Sequence, residues 1–433
     1  METAILLDIA STKTQAHVYQ WQNGTEFSIT EQKTSCSRLS PGLANFSWMT
    51  EDDLDGAVAK YLKPLTDCLA LTTPAHTKVN LLATGGMRMV PSGKADAIWR
   101  AVAKLMSSTK YAVGDAMTIS GNMEGVYAYL NVNNALETKA MKARMSMKER
   151  IASGSSHAYE DEREDEVGPR KLQAGQSSSK WIGVLDMGGA SFQVAFTPRS
   201  QVTILQDSYG VILPERAKRA HIYSTSYQRY GQDQAIARYV SLLRDAGKLD
   251  AASCFNRGFD RLMQTAEGNE VRVRGAGDYG ACAAQLTPLL GLHSECLTAP
   301  CAMNGVYQPS VGGITFYAGA TLYYTVHGML SKSYHATDGA YTPTPTQIAQ
   351  AGRAQCAYAY DEIVAADPFG ANYCFASAYI GRVLAAMGVA DDSTQIVYTK
   401  EVPPGEGGAS FDWARGAQLY LNTMEELYLH DLI

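Results

Sequence analysis

Leu7-Asp8-Ile9-Ala10-Ser11-Thr12, early in the chain, and Leu185-Asp186-Met187-Gly188-Gly189-Ala190-Ser191, near its middle, read as two versions of one local plan. Each follows an apolar run with the texture of a buried strand, Ala4 to Leu7 and Trp181 to Leu185. A strand that ends in Asp and then in small residues can fold back tightly, so that its backbone N–H groups converge on an anion. The carboxylate can hold a hydrated cation beside that anion. Two such loops facing each other would grip a polyphosphate from both sides, which points to phosphoryl chemistry on a metal–nucleotide complex.

The 433 residues suggest about two domains. An apolar fraction of 46% against 18% charged residues gives enough material for sizeable cores. A formal net charge of −6 offers no global attraction for nucleic acid or an anionic membrane, so neither is expected as a partner. Any anion site must be local. No apolar stretch reaches the roughly 18 residues of a transmembrane helix, and no secretory leader is evident. The eight cysteines lack paired C-x-x-C units and nearby ligand-spaced histidines, which argues against a zinc site built on them. Their even number fits disulfides and an oxidising compartment; eight reduced, buried thiols are the other reading.

Outward from the two turns, residues 3–9 and 16–21 read as strands, and Leu54, Val58, Tyr61, Leu62, Leu65 and Leu69 mark one buried helical face. Leu81 to Ala83 is a short strand entering Thr84-Gly85-Gly86-Met87-Arg88, and a helix is expected from about residue 95 to 105. Ile119-Ser120-Gly121-Asn122-Met123-Glu124-Gly125 is a strand-to-helix junction. This alternation favours an α/β architecture. From Glu137 to Lys180 a Met/Lys/Arg-rich stretch gives way to the acidic run 160–166 and then to Gln, Ser, Gly and Lys, which reads as a partly disordered surface insertion. Residues 403–408 read as a linker, and Trp413, Ala417, Tyr420, Leu421 and Met424 as a closing amphipathic helix.

Glu124 follows a Ser-Gly turn, where its carboxylate can act as a general base beside a metal-bound phosphate; a Glu at a helix start is also an ordinary dipole partner. Ser191 and Gln193 lie two apart in a strand and share a face, with Phe192 pointing to the core. Thr84 and Arg88 are candidate phosphate contacts. Gly275-Ala276-Gly277-Asp278-Tyr279-Gly280 fits a dinucleotide fingerprint without its partner acid and is discounted. Asn23-Gly24-Thr25 and Asn45-Phe46-Ser47 fit glycosylation sequons, which arise readily by chance.

Taken in order, five segments resemble the conserved regions of the nucleoside triphosphate diphosphohydrolases, the E-type apyrases. They are Asp8 to Thr14 with Val18 to Trp21, Ala83 to Arg88, Ile119 to Tyr127, Leu185 to Gln193, and Phe316 to Thr325. Tyr373-Cys374-Phe375 and Trp413-Ala414-Arg415-Gly416 add to the likeness. The resemblance implies two ribonuclease-H-like lobes of the actin-like ATPase superfamily around a central cleft. The first lobe would hold residues 1–130 with a returning 412–433, and the second 131–411. It implies hydrolysis of nucleoside tri- and diphosphates to the monophosphate with Ca2+ or Mg2+, in a secreted or otherwise extracytoplasmic protein. The sequence leaves the oligomeric state open, and a monomer is the expectation.

By motif, Glu124 would be the base, with Ser191 and Gln193 orienting the water. Asp8 and Asp186 would hold the metal through waters. Ser11, Thr12, Lys13, Thr84, Arg88, Gly188, Gly189 and Ala190 would contact phosphate. Tyr324, Phe369 and Tyr373 would stack on the base, with Tyr323 a near-equal alternative to Tyr324. The family pattern also implies bridges Cys36–Cys68, Cys254–Cys282, Cys296–Cys301 and Cys356–Cys374. The chain departs from the pattern at Ala10, where Gly is usual, and at Lys13, where His is common and where a cation could favour polyphosphate. Phe192 replaces a usual Thr. Gly319 and Ala320 replace bulkier residues, which bears on the nucleobase pocket. An exopolyphosphatase or guanosine-pentaphosphate phosphatase of similar plan is the alternative, and a nucleotide-binding module without turnover a third reading.

Overall fold

The computed structural model describes residues 1–22, 28–152, 181–199, 209–213, 218–337, 339–405 and 408–429. The acidic run at 160–166 and the sequon at Asn23 lie outside them. The first half runs β1 (Glu2–Ile9), β2 (Thr14–Trp21), β3 (Thr30–Gln32), α1 (Glu51–Thr72), β4 (Lys78–Ala83), α2 (Gly85–Arg88), α3 (Ser92–Met106), β5 (Ala112–Thr118) and α4 (Gly121–Ala152). Leu54, Val58, Leu62, Leu65 and Leu69 are the buried stripe of α1, as its periodicity predicts.

The second half runs β6 (Gly183–Met187), β7 (Ser191–Phe196), β8 (Tyr209–Leu213), β9 (Lys218–Gln228), α5 (Gln232–Asp245), β10 (Asp260–Gln264), β11 (Glu270–Arg274), α6 (Tyr279–Leu286), β12 (Phe316–Ala320) and α7 (Thr321–Leu330). It closes with α8 (Pro345–Ala357), α9 (Tyr360–Ala366), α10 (Tyr373–Ala386), β13 (Ile396–Tyr398), β14 (Glu401–Val402), β15 (Ala409–Ser410) and α11 (Ala414–Leu429).

The strands make two sheets of one design. The first has the order β3-β2-β1-β4-β5, the second β13-β12-β6-β7-β9-β8. In each, an opening hairpin is antiparallel (β1 with β2, β6 with β7) and the next strand of the sheet joins parallel to the first (β4 to β1, β12 to β6). Reversing the second order gives the first, with β8 added at the edge. Each sheet has its own core. Ile5, Leu7, Leu62, Leu81 and Ile98 fill the first, and Phe192, Phe196, Phe316, Tyr239 and Phe375 the second. A third core mixes Leu6 and Tyr19 of the first sheet with Val184 and Ala195 of the second, around Tyr127, Tyr129 and Trp413. It forms because α4 lies against β6, β7 and β9 while α11 packs along α4 and reaches β1 and β2.

The structure differs from the sequence reading at three places. The stretch from Glu137 is helix as far as Ala152, because Met, Lys, Arg, Ala and Glu are good helix formers whether or not they are buried. The expected domain boundary at residue 130 falls inside α4. The linker expected at 403–408 falls between two strands that pair with each other, β14 and β15, so it does not separate independent units. Four disulfides join Cys36 to Cys68, Cys254 to Cys282, Cys296 to Cys301 and Cys356 to Cys374. Among the described residues no helix is long and apolar enough to cross a membrane.

Candidate active site

The two acidic turns occupy equivalent places. Asp8 pairs with Gln15 across the first hairpin and Asp186 with Gln193 across the second. The Ala10 N–H donates to the Lys13 carbonyl at 2.9 Å, and the Gly188 N–H to the Ser191 carbonyl at 3.1 Å. Lys13 therefore stands where Ser191 stands in the other turn, and each addresses its own glutamine: Lys13 Nζ donates to Gln15 Oε1 at 2.9 Å, and Gln193 Nε2 to Ser191 Oγ at 2.7 Å.

The turns approach each other across the sheets. A Cβ placed on Gly189 would lie 3.1 Å from Ser11 Oγ, and one on Gly86 only 2.6 Å from Ser11 Cα. One on Gly85 would sit 2.9 Å from both Ala190 Cβ and Ser191 Oγ, so the backbone after β4 presses on the second turn with no room for a side chain. Gly231 is equally confined, with a Cβ 2.5 Å from the Ser191 nitrogen. From there α5 starts, its Gln232 and Gln234 amides donating to the carbonyls of Gly188 and Gly189 at 2.9 and 3.1 Å. Ala10 has no positive φ, so its Cβ is accommodated without strain.

Glu124 lies in the first turn of α4, with the residue only 7% exposed. Arg88 Nη2 donates to its Oε2 at 2.8 Å and to Ser191 Oγ at 3.0 Å, and Gln193 Nε2 donates to the same Oε2 at 3.2 Å. An ionised carboxylate only accepts, which fixes the Gln193 amide with its NH2 toward Glu124. Ser191 Oγ accepts from both Arg88 and Gln193, which leaves its own hydrogen to be donated elsewhere. Arg88 also donates from Nε to Gln228 Oε1 at 3.0 Å and from Nη1 to the Ile119 carbonyl at 3.2 Å, so four of its five N–H groups are engaged within the protein. Ser226 Oγ, on β9, lies 3.1 Å from the same Gln193 Nε2, whose two N–H groups are shared among Glu124, Ser191 and Ser226. Gln228 and Ser226 escaped the sequence reading; the alternation of polar residues Ser224, Ser226 and Gln228 along one strand face was the available signal.

Burial dominates the acids. It lifts the Glu124 carboxyl above the ordinary value, against the pull of Arg88. It also raises Asp8, against Lys13 and His17. Asp186 goes up to about 7, by burial first and then by the charges of Glu124, Asp412 and Asp8. Lys13 Nζ, 4.0 Å from Asp8 Oδ2, is the nearby cation. Asp8 Oδ1 is buried with no hydrogen-bond partner. An orphaned, buried carboxylate oxygen within electrostatic reach of further carboxylates is the donor chemistry that a hard divalent cation satisfies, so the residues present fit a metal here.

Beside the turns opens a cleft of about 1060 Å³ lined by Gln232, Thr321, Tyr324, His327, Phe369 and Tyr373 among others. Tyr324 is 63% and Phe369 74% exposed, each offering a ring to the space. Tyr373 is 7% exposed, its hydroxyl donating to the Asp367 carboxylate, so it forms the floor and has no free face for stacking. Tyr323 is a core residue, 4% exposed and stacked on His327. Gly319 does not shape this cleft either: a Cβ there would strike the Phe411 ring, which fills that space. Cys254 and Cys282 sit beside the Gly275–Gly280 fingerprint, whose Gly277 has a φ of +66° and whose Asp278 caps α6 by accepting from the Ala281 N–H at 3.0 Å. That segment is a hairpin end leading to a short helix.

Two matched sheets meeting through acidic hairpin turns, with a buried Glu-Arg-Gln-Ser cluster between them, define a phosphoric-anhydride hydrolase of the two-lobed, actin-like kind. The chain belongs to the GDA1/CD39 (nucleoside phosphatase) family, whose model matches residues 2–430. It is 24% identical to ectonucleoside triphosphate diphosphohydrolase 1 of Mus musculus over 97% of this chain and 81% of that protein. It is 26% identical to nucleoside-triphosphatase ntp-1 of Caenorhabditis elegans over 98% of this chain and 75% of that one. Among solved structures, the nucleoside triphosphate hydrolases of Neospora caninum share its fold, with a TM-score of 0.64 at 15% identity, covering 98% of this chain and 93% of theirs.

Proposed function

We propose that the protein hydrolyses nucleoside tri- and diphosphates to the monophosphate, with Glu124 as the general base. The observation that carries this reading is the cluster of Glu124, Ser191, Gln193 and Arg88 placed between two converging turns. Gln193 and Ser191 hold the attacking water, which accepts the free Ser191 hydrogen and gives its proton to Glu124. The water oxygen attacks the terminal phosphorus in line, the bridging P–O bond breaks, and inorganic phosphate leaves a nucleotide one phosphate shorter. Backbone N–H groups of Ser11, Thr12, Gly189 and Ala190, with the Thr84 side chain and Lys13, bear on the phosphate oxygens, whereas the Gly188 N–H is already given to the Ser191 carbonyl and Gly188 serves the turn itself. Arg88 contributes chiefly by holding Glu124 and Ser191 in place, with its remaining N–H turned to phosphate. Asp8 and Asp186 would hold Ca2+ or Mg2+ through waters, and the cation would neutralise charge on the phosphate oxygens.

The exposed rings of Tyr324 and Phe369 favour a nucleoside over bare polyphosphate, because a stacking surface gains nothing from a chain of phosphates. Four disulfides support an extracytoplasmic setting. The test is a time course separating ATP, ADP and AMP, with phosphate release measured with and without divalent metal. Glu124→Gln is expected to lose about 10²- to 10⁴-fold in kcat. Near wild-type turnover in that variant, or polyphosphate cleaved much faster than ATP, would reverse the reading.

A further inference from the structure

A second group of ligand atoms lies behind the catalytic turns. His17 on β2, Glu31 on β3 and Asp412 just ahead of α11 each bring one side-chain donor to within 4.8 Å of the other two. His17 stands two residues beyond Gln15, the partner of Asp8, so this group is set back along the hairpin from the phosphate-facing turn. His17 is 5% exposed, and its Nδ1 is 2.7 Å from Glu31 Oε1. Two donors each about 2.2 Å from one ion span at most about 4.4 Å, so a small inward turn of one carboxylate would close a coordination shell.

Independent signs of a missing partner surround the group. Asp412 uses Oδ1 to accept from the Arg415 N–H at 3.2 Å at the start of α11, while its Oδ2 is buried with no hydrogen-bond partner. Tyr19 is fully buried, its ring stacked on His17 with centroids 6.1 Å apart and planes at 6°. Its hydroxyl also lacks a partner and lies within electrostatic reach of Asp412 and Glu31. A carboxylate oxygen and a phenol left without partners in the interior are both unfavourable, which marks the group as incomplete.

We propose that His17, Glu31 and Asp412 form a second metal site, which takes a divalent transition ion, zinc first, and clips the segment before α11 to strands β2 and β3. One imidazole nitrogen and two carboxylate oxygens form a donor set for zinc or manganese and a poor one for calcium, which takes oxygen ligands only. Asp412 would coordinate through Oδ2, and the ion would supply the partner that this oxygen lacks. The three ligands come from residues 17, 31 and 412, so the ion would tie the opening hairpin to the returning C-terminal segment.

The full chain, stripped with EDTA, is titrated with Zn2+ by calorimetry, and its Mn2+ form is examined by electron spin-echo spectroscopy for nitrogen coupling. The expected result is a Zn2+ site that raises the thermal midpoint, a single-imidazole nitrogen signal on Mn2+, and affinity weakened at least about tenfold in His17→Asn and in Asp412→Asn. Asp186→Asn, which touches only the proposed cleft metal, keeps the nitrogen signal. If His17→Asn does not fold, Asp412→Asn decides alone. Wild-type protein without nitrogen coupling, or Zn2+ binding unchanged in the folded variants, overturns the site and leaves a histidine ion-paired between two carboxylates.

Discussion

The Glu124–Arg88 pair sets two opposing influences on one proton. Burial favours the neutral acid, whereas a guanidinium 2.8 Å away favours the carboxylate that a base requires. Arg88 thus keeps Glu124 usable near neutrality while orienting it toward Ser191. Because burial is the larger influence, Glu124 remains above an ordinary glutamate, and activity should fall as acid protonates it. Removing the cation lifts Glu124 further. Arg88→Ala is expected to move the acid limb of the pH–rate profile about one to three pH units to the alkaline side. Arg88→Lys, which keeps the charge and loses the fork, should restore the limb more than the rate. An unmoved limb in the alanine variant would show that Arg88 does not govern this proton.

At the level of elements, the site depends on helices that touch at the backbone. A Cβ on Gly416 would lie 1.8 Å from the Tyr127 carbonyl oxygen, so α11 and α4 are in direct main-chain contact at that point. Arg415, one residue earlier, donates to Asn131 and Asn134 at 3.1 and 2.8 Å, locking the same pair of helices. Since α4 carries Glu124 one turn from its start, the seating of α11 helps set where the carboxylate sits. Backbone cannot rotate aside as a side chain can. Gly416→Ala should therefore destabilise by at least about 1–3 kcal/mol, read as a lower urea midpoint with an unchanged slope. A midpoint equal to wild type would mean that the helices separate at no cost.

For the whole molecule, the concentration of acids between the sheets couples stability to pH. Asp186 titrates near 7 in the folded protein against an ordinary value of 3.8. Between those values the folded chain binds more protons than the unfolded one, so stability is highest at the acid end and declines as pH rises through that window. The thermal midpoint of the metal-free protein is expected to fall between about pH 5 and about pH 8. The decline should shrink in Asp186→Asn, and also when a divalent cation takes the proton's place. A midpoint that climbs with pH would contradict this balance of charges. The same crowding explains why the third core, between the sheets, is apolar: Leu6, Tyr127, Val184 and Trp413 hold the halves together without adding to the charge.

Much of this was legible in the chain itself. The repeated strand–Asp–small-residue plan, the stripe on α1 and the strand-to-helix step before Glu124 are local patterns, and local patterns follow from side-chain period and backbone freedom. What lay beyond reach was pairing at long range. No spacing in the sequence says that Arg88 meets Glu124 and Ser191 together, that Ser226 and Gln228 complete their network, or that Gly85 abuts Ala190. Nor does it say which tyrosine is free. Tyr323 and Tyr324 are neighbours in the chain, yet helix geometry turns one into the core and the other into the cleft. Sequence determined the two halves and their acidic turns, because each is specified by residues adjacent in the chain. Only the tertiary structure decided which distant groups share a proton, an ion or a wall, because burial and proximity belong to the packed molecule.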